Sequence, residues 1–312
     1  MKLRIKPNIL RSILSIVLLL VIAILVLLFL REHPIKFNNL LNVSFFYIVI
    51  LILLTITNMG INGYGMNLIL FTLYDIKLTM KEWFGLASIT SFGNYITPFR
   101  GGASARAVYL KKRHKLPYTS SVTTFAVTHI TLFLVAGILG IFTNIAAYLI
   151  YNIFNIGILM LFILIFVVSL MIILFSPTLP KTRYKFINYF VRVINEWKEF
   201  SSRKRLILKI GILNLFFVLF STLRIYLIFL ALGNTFPLIL CLYIALLSFL
   251  ADLLAITPAN LGVREAVIVF SSKLVGANLT LGVYVAAINR AISIIVVFVF
   301  GFIFSWILAR KR

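Results

Sequence analysis

The sequence predicts an all-α integral membrane protein, a polytopic bundle of about six full spans plus two re-entrant broken-helix hairpins arranged as an inverted repeat. Three observations carry this. Of its 312 residues 62% are hydrophobic and only 12% charged, with a mean hydropathy of +1.11, whereas a soluble domain has about 25% charged residues. Several apolar runs reach the roughly 20 residues that a helix needs to cross a hydrocarbon core. Two further apolar segments are broken by Pro and Gly, and the Lys and Arg residues cluster between the runs.

In chain order, Ser12 to Leu30 is too long for a signal-peptide core and has no small-residue cleavage site after it, so it reads as a retained anchor. Full spans are expected at Ser44 to Leu73, Tyr118 to Leu149, Phe154 to Phe175, Leu206 to Leu232 and Leu279 to Leu308. Two segments behave differently. Glu82 to Thr97 runs into Pro98, Arg100, Gly101 and Gly102, and Leu238 to Thr257 runs into Pro258, Asn260 and Gly262. Each restarts as a stretch too short to cross alone, Ala103 to His114 and Val263 to Val275. Such breaks free backbone polar groups that lipid cannot satisfy, so they belong inside protein or beside a water-filled cavity.

The basic residues set the topology. If both broken segments turn back, the clusters at Lys2 to Arg11, Lys77 and Lys81, Lys111 to Lys115, Lys181 to Lys209 and Arg310 to Arg312 share one face. Only Arg31, Lys36 and Lys273 fall on the other. The positive-inside bias makes the first face cytoplasmic and places both termini there, in a cell (plasma) membrane. A shift of 160 positions brings Leu86, Ser88, Ile96, Thr97, Pro98 and Gly102 onto Leu246, Ser248, Ile256, Thr257, Pro258 and Gly262. Residues 1–312 therefore read as a single transmembrane domain with inverted repeats at about 44–149 and 206–308. This is a transporter design with a site near the midplane. Residues 178–205 read as a cytoplasmic interfacial helix or linker, with Phe186, Phe190, Val193, Trp197 and Phe200 at helical spacing.

The net charge of +23 is spread over loops and is not gathered on one folded surface, which excludes a nucleic-acid binder. No Walker loop or dinucleotide fingerprint occurs. Cys241 is the single cysteine, and His33, His114 and His129 are scattered, so neither a metal site nor another cofactor is expected. Gly60 to Gly65 lies in a span and reads as a helix-packing surface.

The informative residues are the ionisable ones at membrane depth. Arg100 and Arg106 flank the first break; Asp252, Arg264 and Glu265 surround the second; Arg224, Arg290 and His129 lie within spans. A charge at the bilayer centre costs about 2.5 kcal/mol or more, so these residues face inward and are paired, as a structural network or as a site. Arg224 reads equally as a snorkelling side chain. Arg100, Arg106, Asp252, Arg264, Glu265 and Arg290 are the candidate headgroup or ion-binding residues. Both short stretches begin beside their Gly, so their N-termini offer N–H groups to an anion. Arginine's planar fork suits phosphate.

The segment TPANLGVREA, followed by Arg290, resembles the second-half pattern of the lysylphosphatidylglycerol synthase transmembrane-region family, at Pro258, Gly262, Glu265 and Arg290. Pro98, Arg100, Gly101, Gly102, Arg106 and Lys111 resemble its first-half pattern. The family includes the flippase domain of the bacterial multiple peptide resistance factor, so the resemblance implies lipid translocation. Ala103 stands where the family often has an acidic residue, and Thr128-His129 where it often has Glu-Arg. The aminoacyl-transferase domain of the full-length factor is not found, which makes lipid aminoacylation by this chain unexpected. The expected function is a lipid flippase or scramblase for a phosphate-bearing, or aminoacylated, polar lipid. The alternative is a membrane-embedded lipid-binding partner of a glycosyltransferase or lipid-modifying enzyme.

Overall fold

The computed structural model describes residues 43–97, 101–180, 182–251 and 257–310. The predicted span Ser12 to Leu30 and the candidate residues Pro98, Arg100 and Asp252 lie outside them. The helices in chain order are α1 Phe45–Tyr74, α2 Met80–Ile96, α3 Gly101–His114, α4 Tyr118–Tyr151, α5 Ile156–Leu174, α6 Lys185–Ser202, α7 Lys204–Ala231, α8 Leu238–Leu250, α9 Val263–Leu274 and α10 Leu279–Arg310. A 3-10 turn, Pro258–Asn260, precedes α9. Among the described residues no strand occurs. Helices α1, α4, α5, α7 and α10 are long and apolar enough to cross a membrane, and they match the five predicted spans that can be compared.

Local chemistry sets the ends of these helices. At α1 and α4 the chain stops on Asp75 and Asn152, both in the left-handed conformation that short polar side chains tolerate. Helix α2 starts with a capping box in which the Glu82 carboxylate accepts the Thr79 backbone N–H at 3.0 Å. Asn155 caps α5 by accepting the Ile158 N–H at 3.1 Å.

The two short helices after the breaks fold back on the helices before them. A Cβ at Gly102 would run into the Thr90 carbonyl oxygen and stand 2.8 Å from the Asn94 nitrogen, so only glycine lets α3 lie this close to α2. The Gly102 N–H donates to Asn94 Oδ1 at 3.1 Å. At the far end of the hairpin the Tyr109 hydroxyl donates to Glu82 at 3.2 Å, so the end of α3 lies beside the start of α2. In the second half, α8 and α9 also pack together. Helix α8 is buried all round from Leu240 to Phe249, which fits a helix apolar on every face. At 13 residues and about 1.5 Å each it is too short for a hydrocarbon core about 30 Å thick.

Packing links the halves crosswise. Helix α1 lies against α7, α2 against α10, and α8 against α4. The α2 helix also touches the 258–260 turn, so the second break leans on the first half. Large apolar side chains on α1, α4, α5, α7 and α10 face outward, among them Phe142, Leu164, Leu208 and Phe302, which is the surface a bilayer covers.

The interfacial segment is a docked helix. Val191, Trp197 and Phe200 of α6 are buried against the bundle, and Phe190 points outward. Polar bonds rotate it: Trp197 Nε1 donates to the Ile172 carbonyl of α5 at 2.9 Å. Glu196 receives hydrogen bonds from Tyr74, Ser120 and Thr123 at 2.8–2.9 Å, and Arg192 pairs with it at 2.9 Å. One carboxylate thereby joins α6 to α1 and α4.

Candidate functional site

A polar cavity of about 320 Å³ lies where the two halves meet. Polar side chains at helical spacing build each wall. Asn58 and Asn62 come from α1, Thr90, Ser91 and Asn94 from α2, and Thr128 and His129 from α4. Ser221 and Arg224 come from α7, and Ser293 from α10. The breaks complete it: Thr257, Ala259 and Asn260 from the second, Arg106 and Arg264 from the helices that restart after each. Its described lining residues include three arginines and no carboxylate.

Arg224, read from sequence as equally able to snorkel, is buried and turned inward. Its Nη2 donates to Asn289 Oδ1 at 2.6 Å and Ser293 Oγ at 3.0 Å, both neutral acceptors, so its charge is solvated but not cancelled. The Nε of Arg264 is buried with no hydrogen-bond partner among the described residues. A cationic side chain with a buried, unpartnered nitrogen favours an anion nearby.

Glu265 and Arg290 do come together, but as a strut beside the cavity. Arg290 Nε lies 2.9 Å from Glu265 Oε1. Its Nη1 donates to the Ala259 carbonyl at 3.1 Å and to the Tyr95 hydroxyl at 3.3 Å, and the guanidinium lies over the Tyr95 ring. This one side chain ties α10, the second break, α9 and α2 together. One N–H at the N-terminus of α9 is already taken, because Glu265 itself accepts the Gly262 N–H at 2.7 Å. The Gly102 N–H of α3 is likewise spent, on Asn94.

The second break is held in an unusual backbone. Ala259, Asn260 and Gly262 all have positive φ, of 47°, 54° and 82°. For Ala259 that conformation costs about 1–2 kcal/mol. Side chains hold it in place: Thr257 Oγ1 donates to the Leu261 carbonyl at 2.9 Å, and Asn260 Nδ2 to the Ala251 carbonyl at 3.2 Å. At the first break Thr97 ends α2 in an extended conformation, and Gly101 and Gly102 open α3.

Sequence reasoning passed over Asn58, Asn62, Thr90, Asn94, Ser221 and Ser293. Their signal was present: Asn58 and Asn62, and Thr90 and Asn94, are four residues apart and share a helix face. Neutral polar residues in apolar helices more often join helices than line sites, as the bond from Asn58 to Ser221 at 3.0 Å also does here.

Bundle and cavity together define a multi-pass helical membrane protein with a cationic polar chamber in its interior. The profile of the lysylphosphatidylglycerol synthase TM region matches residues 9–301, and the chain belongs to that family. Among curated proteins none matches the chain.

Proposed function

We propose that the protein is a lipid flippase or scramblase that passes a phosphate-bearing polar headgroup, aminoacylated ones included, through the central cavity. The observation that carries this is the set of Arg106, Arg224 and Arg264 around a polar chamber with no carboxylate among its described lining. Guanidinium groups match phosphate oxygens in geometry and charge, and hydroxyl and amide side chains suit glycerol or amino-acid moieties. Membership of a family of lipid-handling membrane regions supports the same substrate class.

The inverted-repeat reading is supported by the packing. Exchanging α1 with α7, α2 with α8, α3 with α9 and α4 with α10 maps the α2–α10 contact onto α8–α4, and α1–α10 onto α7–α4. The re-entrant reading is supported by the return of α3 to the start of α2 at Glu82 and Tyr109, together with the positive-inside distribution of Lys and Arg. The same distribution supports cytoplasmic termini, in keeping with a protein of the plasma membrane. We assign no catalytic step to the chain, and directed transport would draw on an ion gradient.

The test is leaflet exchange of fluorescent phosphatidylglycerol and lysyl-phosphatidylglycerol in liposomes containing the purified chain. Exchange is expected to fall about tenfold in Arg224→Gln or Arg264→Gln, the weight of one charge-assisted hydrogen bond. No exchange of any anionic or aminoacylated lipid by wild type refutes the proposal. Lipid binding without exchange would favour a lipid-binding partner of a lipid-modifying enzyme.

A further inference from the structure

The two halves differ at one seam. In the second half α9 lies tight against α10, where a Cβ on Gly282 would stand 3.0 Å from the Ser272 Cβ and 3.3 Å from the Val269 Cα. The residue 160 positions earlier is Val122 of α4. There the seam stands open as a groove of about 520 Å³ between α3, α4 and α6. Ala103, Ala107 and Val108 form one wall, Tyr118 and Val122 the other, and Tyr189 one end. Val108, Tyr118, Val122 and Tyr189 are each 40–44% exposed. Arg106 and Phe125 belong to both the groove and the central cavity.

We propose that this groove is the side door through which an anionic diacyl phospholipid of the cytoplasmic leaflet reaches the cavity, its phosphate drawn to Arg106 and an acyl chain lying along the groove. The idea rests on the translocation reading and adds the leaflet and the path. Three features favour a lipid as the occupant. The walls are mostly apolar, which suits a hydrocarbon chain and not a free anion. Ala103 and Ala107 lie four residues apart on one helix face, and their small side chains leave room along the groove. Arg106 forms no ion pair with the described carboxylates and stands where the apolar groove meets the polar chamber. The leaflet follows from charge: α3 ends in Lys111, Lys112 and Arg113, a basic cluster that belongs on the cytoplasmic side and concentrates anionic lipid. Glycine at 282 permits the close approach of the counterpart seam, whereas Val122 lines the open one.

The full chain is reconstituted in nanodiscs of phosphatidylglycerol and phosphatidylcholine with a photoreactive benzophenone side chain at Val122. Separate preparations carry the probe at Val108, or at Phe270 on the exposed face of α9. Mass spectrometry then identifies what is captured. The Val122 and Val108 probes should capture phosphatidylglycerol well above its share of the bilayer, and Phe270 should capture both lipids in the bilayer ratio. Arg106→Gln should reduce the enrichment by about tenfold. Ala107→Trp, which fills the groove, should abolish capture while leaving thermal unfolding unchanged. Capture in the bilayer ratio, insensitivity to Arg106, or capture of a peptide of the chain itself would overturn the proposal. Enriched capture by a protein with no exchange activity would keep the groove and sink translocation. Undiminished exchange by Ala107→Trp would sink the groove alone.

Discussion

Arg290→Ala separates two roles for the Glu265–Arg290 pair, a strut holding the second break or a group that handles the headgroup. The substitution removes the 2.9 Å ion pair and the bonds to Ala259 and Tyr95. Breaking a fully buried pair costs about 3–5 kcal/mol. Here the Glu265 side chain is 26% exposed and keeps the Gly262 N–H, so about 2–3 kcal/mol is expected after that discount. For a chain of this size the loss lowers the unfolding midpoint by on the order of 5 °C. Trp83, Trp197 and Trp306 report it through intrinsic fluorescence in detergent. Glu265→Gln alone keeps an oxygen for the helix cap but strands the guanidinium, and should cost a similar amount. The double variant Glu265→Gln with Arg290→Met removes both charges and should recover at least about 1 kcal/mol relative to the sum. If the strut is the whole role, exchange activity returns with stability. Additive losses, or an unchanged midpoint in Arg290→Ala, would refute the reasoning; restored stability with absent exchange would move the pair into the site.

Three further outcomes follow from the same geometry. Gly102→Ala should separate α3 from α2 and destabilise the protein by several kcal/mol, on the scale of a severe core overpacking; a midpoint within a degree of wild type would mean the hairpin is looser than described. Glu196→Ala should cost about 2–4 kcal/mol by leaving Tyr74, Ser120 and Thr123 without their acceptor, and limited proteolysis should then cut at both ends of α6. In a Cys241→Ala background, single cysteines at Lys112 and Asn278, both exposed, should react with impermeant maleimide from opposite sides of the membrane. Labelling from one side alone would end the inverted-repeat reading. Because Cys241 is buried, the unmodified protein should give little background.

Much of the architecture is legible in the amino-acid sequence. The five comparable spans end within a few residues of expectation because helix length in a bilayer is set by hydrocarbon thickness, which apolar run length reports directly. The breaks were legible because Pro and Gly act on the backbone locally, and the short helices restart where those residues end. The amphipathic pattern of α6 located a helix but not its facing. Val191 is buried and Phe190 is not, because Glu196 and Trp197 have partners on three other helices and these hydrogen bonds set the facing.

The candidate site divided along the same line. From sequence, Glu265 and Arg290 stood out because charge in an apolar helix is conspicuous, yet they are used on each other and on the backbone around Ala259. Arg224 looked ambiguous because snorkelling depends on where a helix end meets the interface, and only packing against Asn289 and Ser293 turned it inward. The sequence by itself determined that this is a multi-pass membrane protein, where its helices run and where they break, since hydrophobicity and backbone chemistry act over short stretches of chain. Only the tertiary structure decided which charges are cancelled, which line the cavity and which seam stays open. Those depend on residues more than a hundred positions apart being brought within a few ångströms, as Arg290 and Tyr95 are.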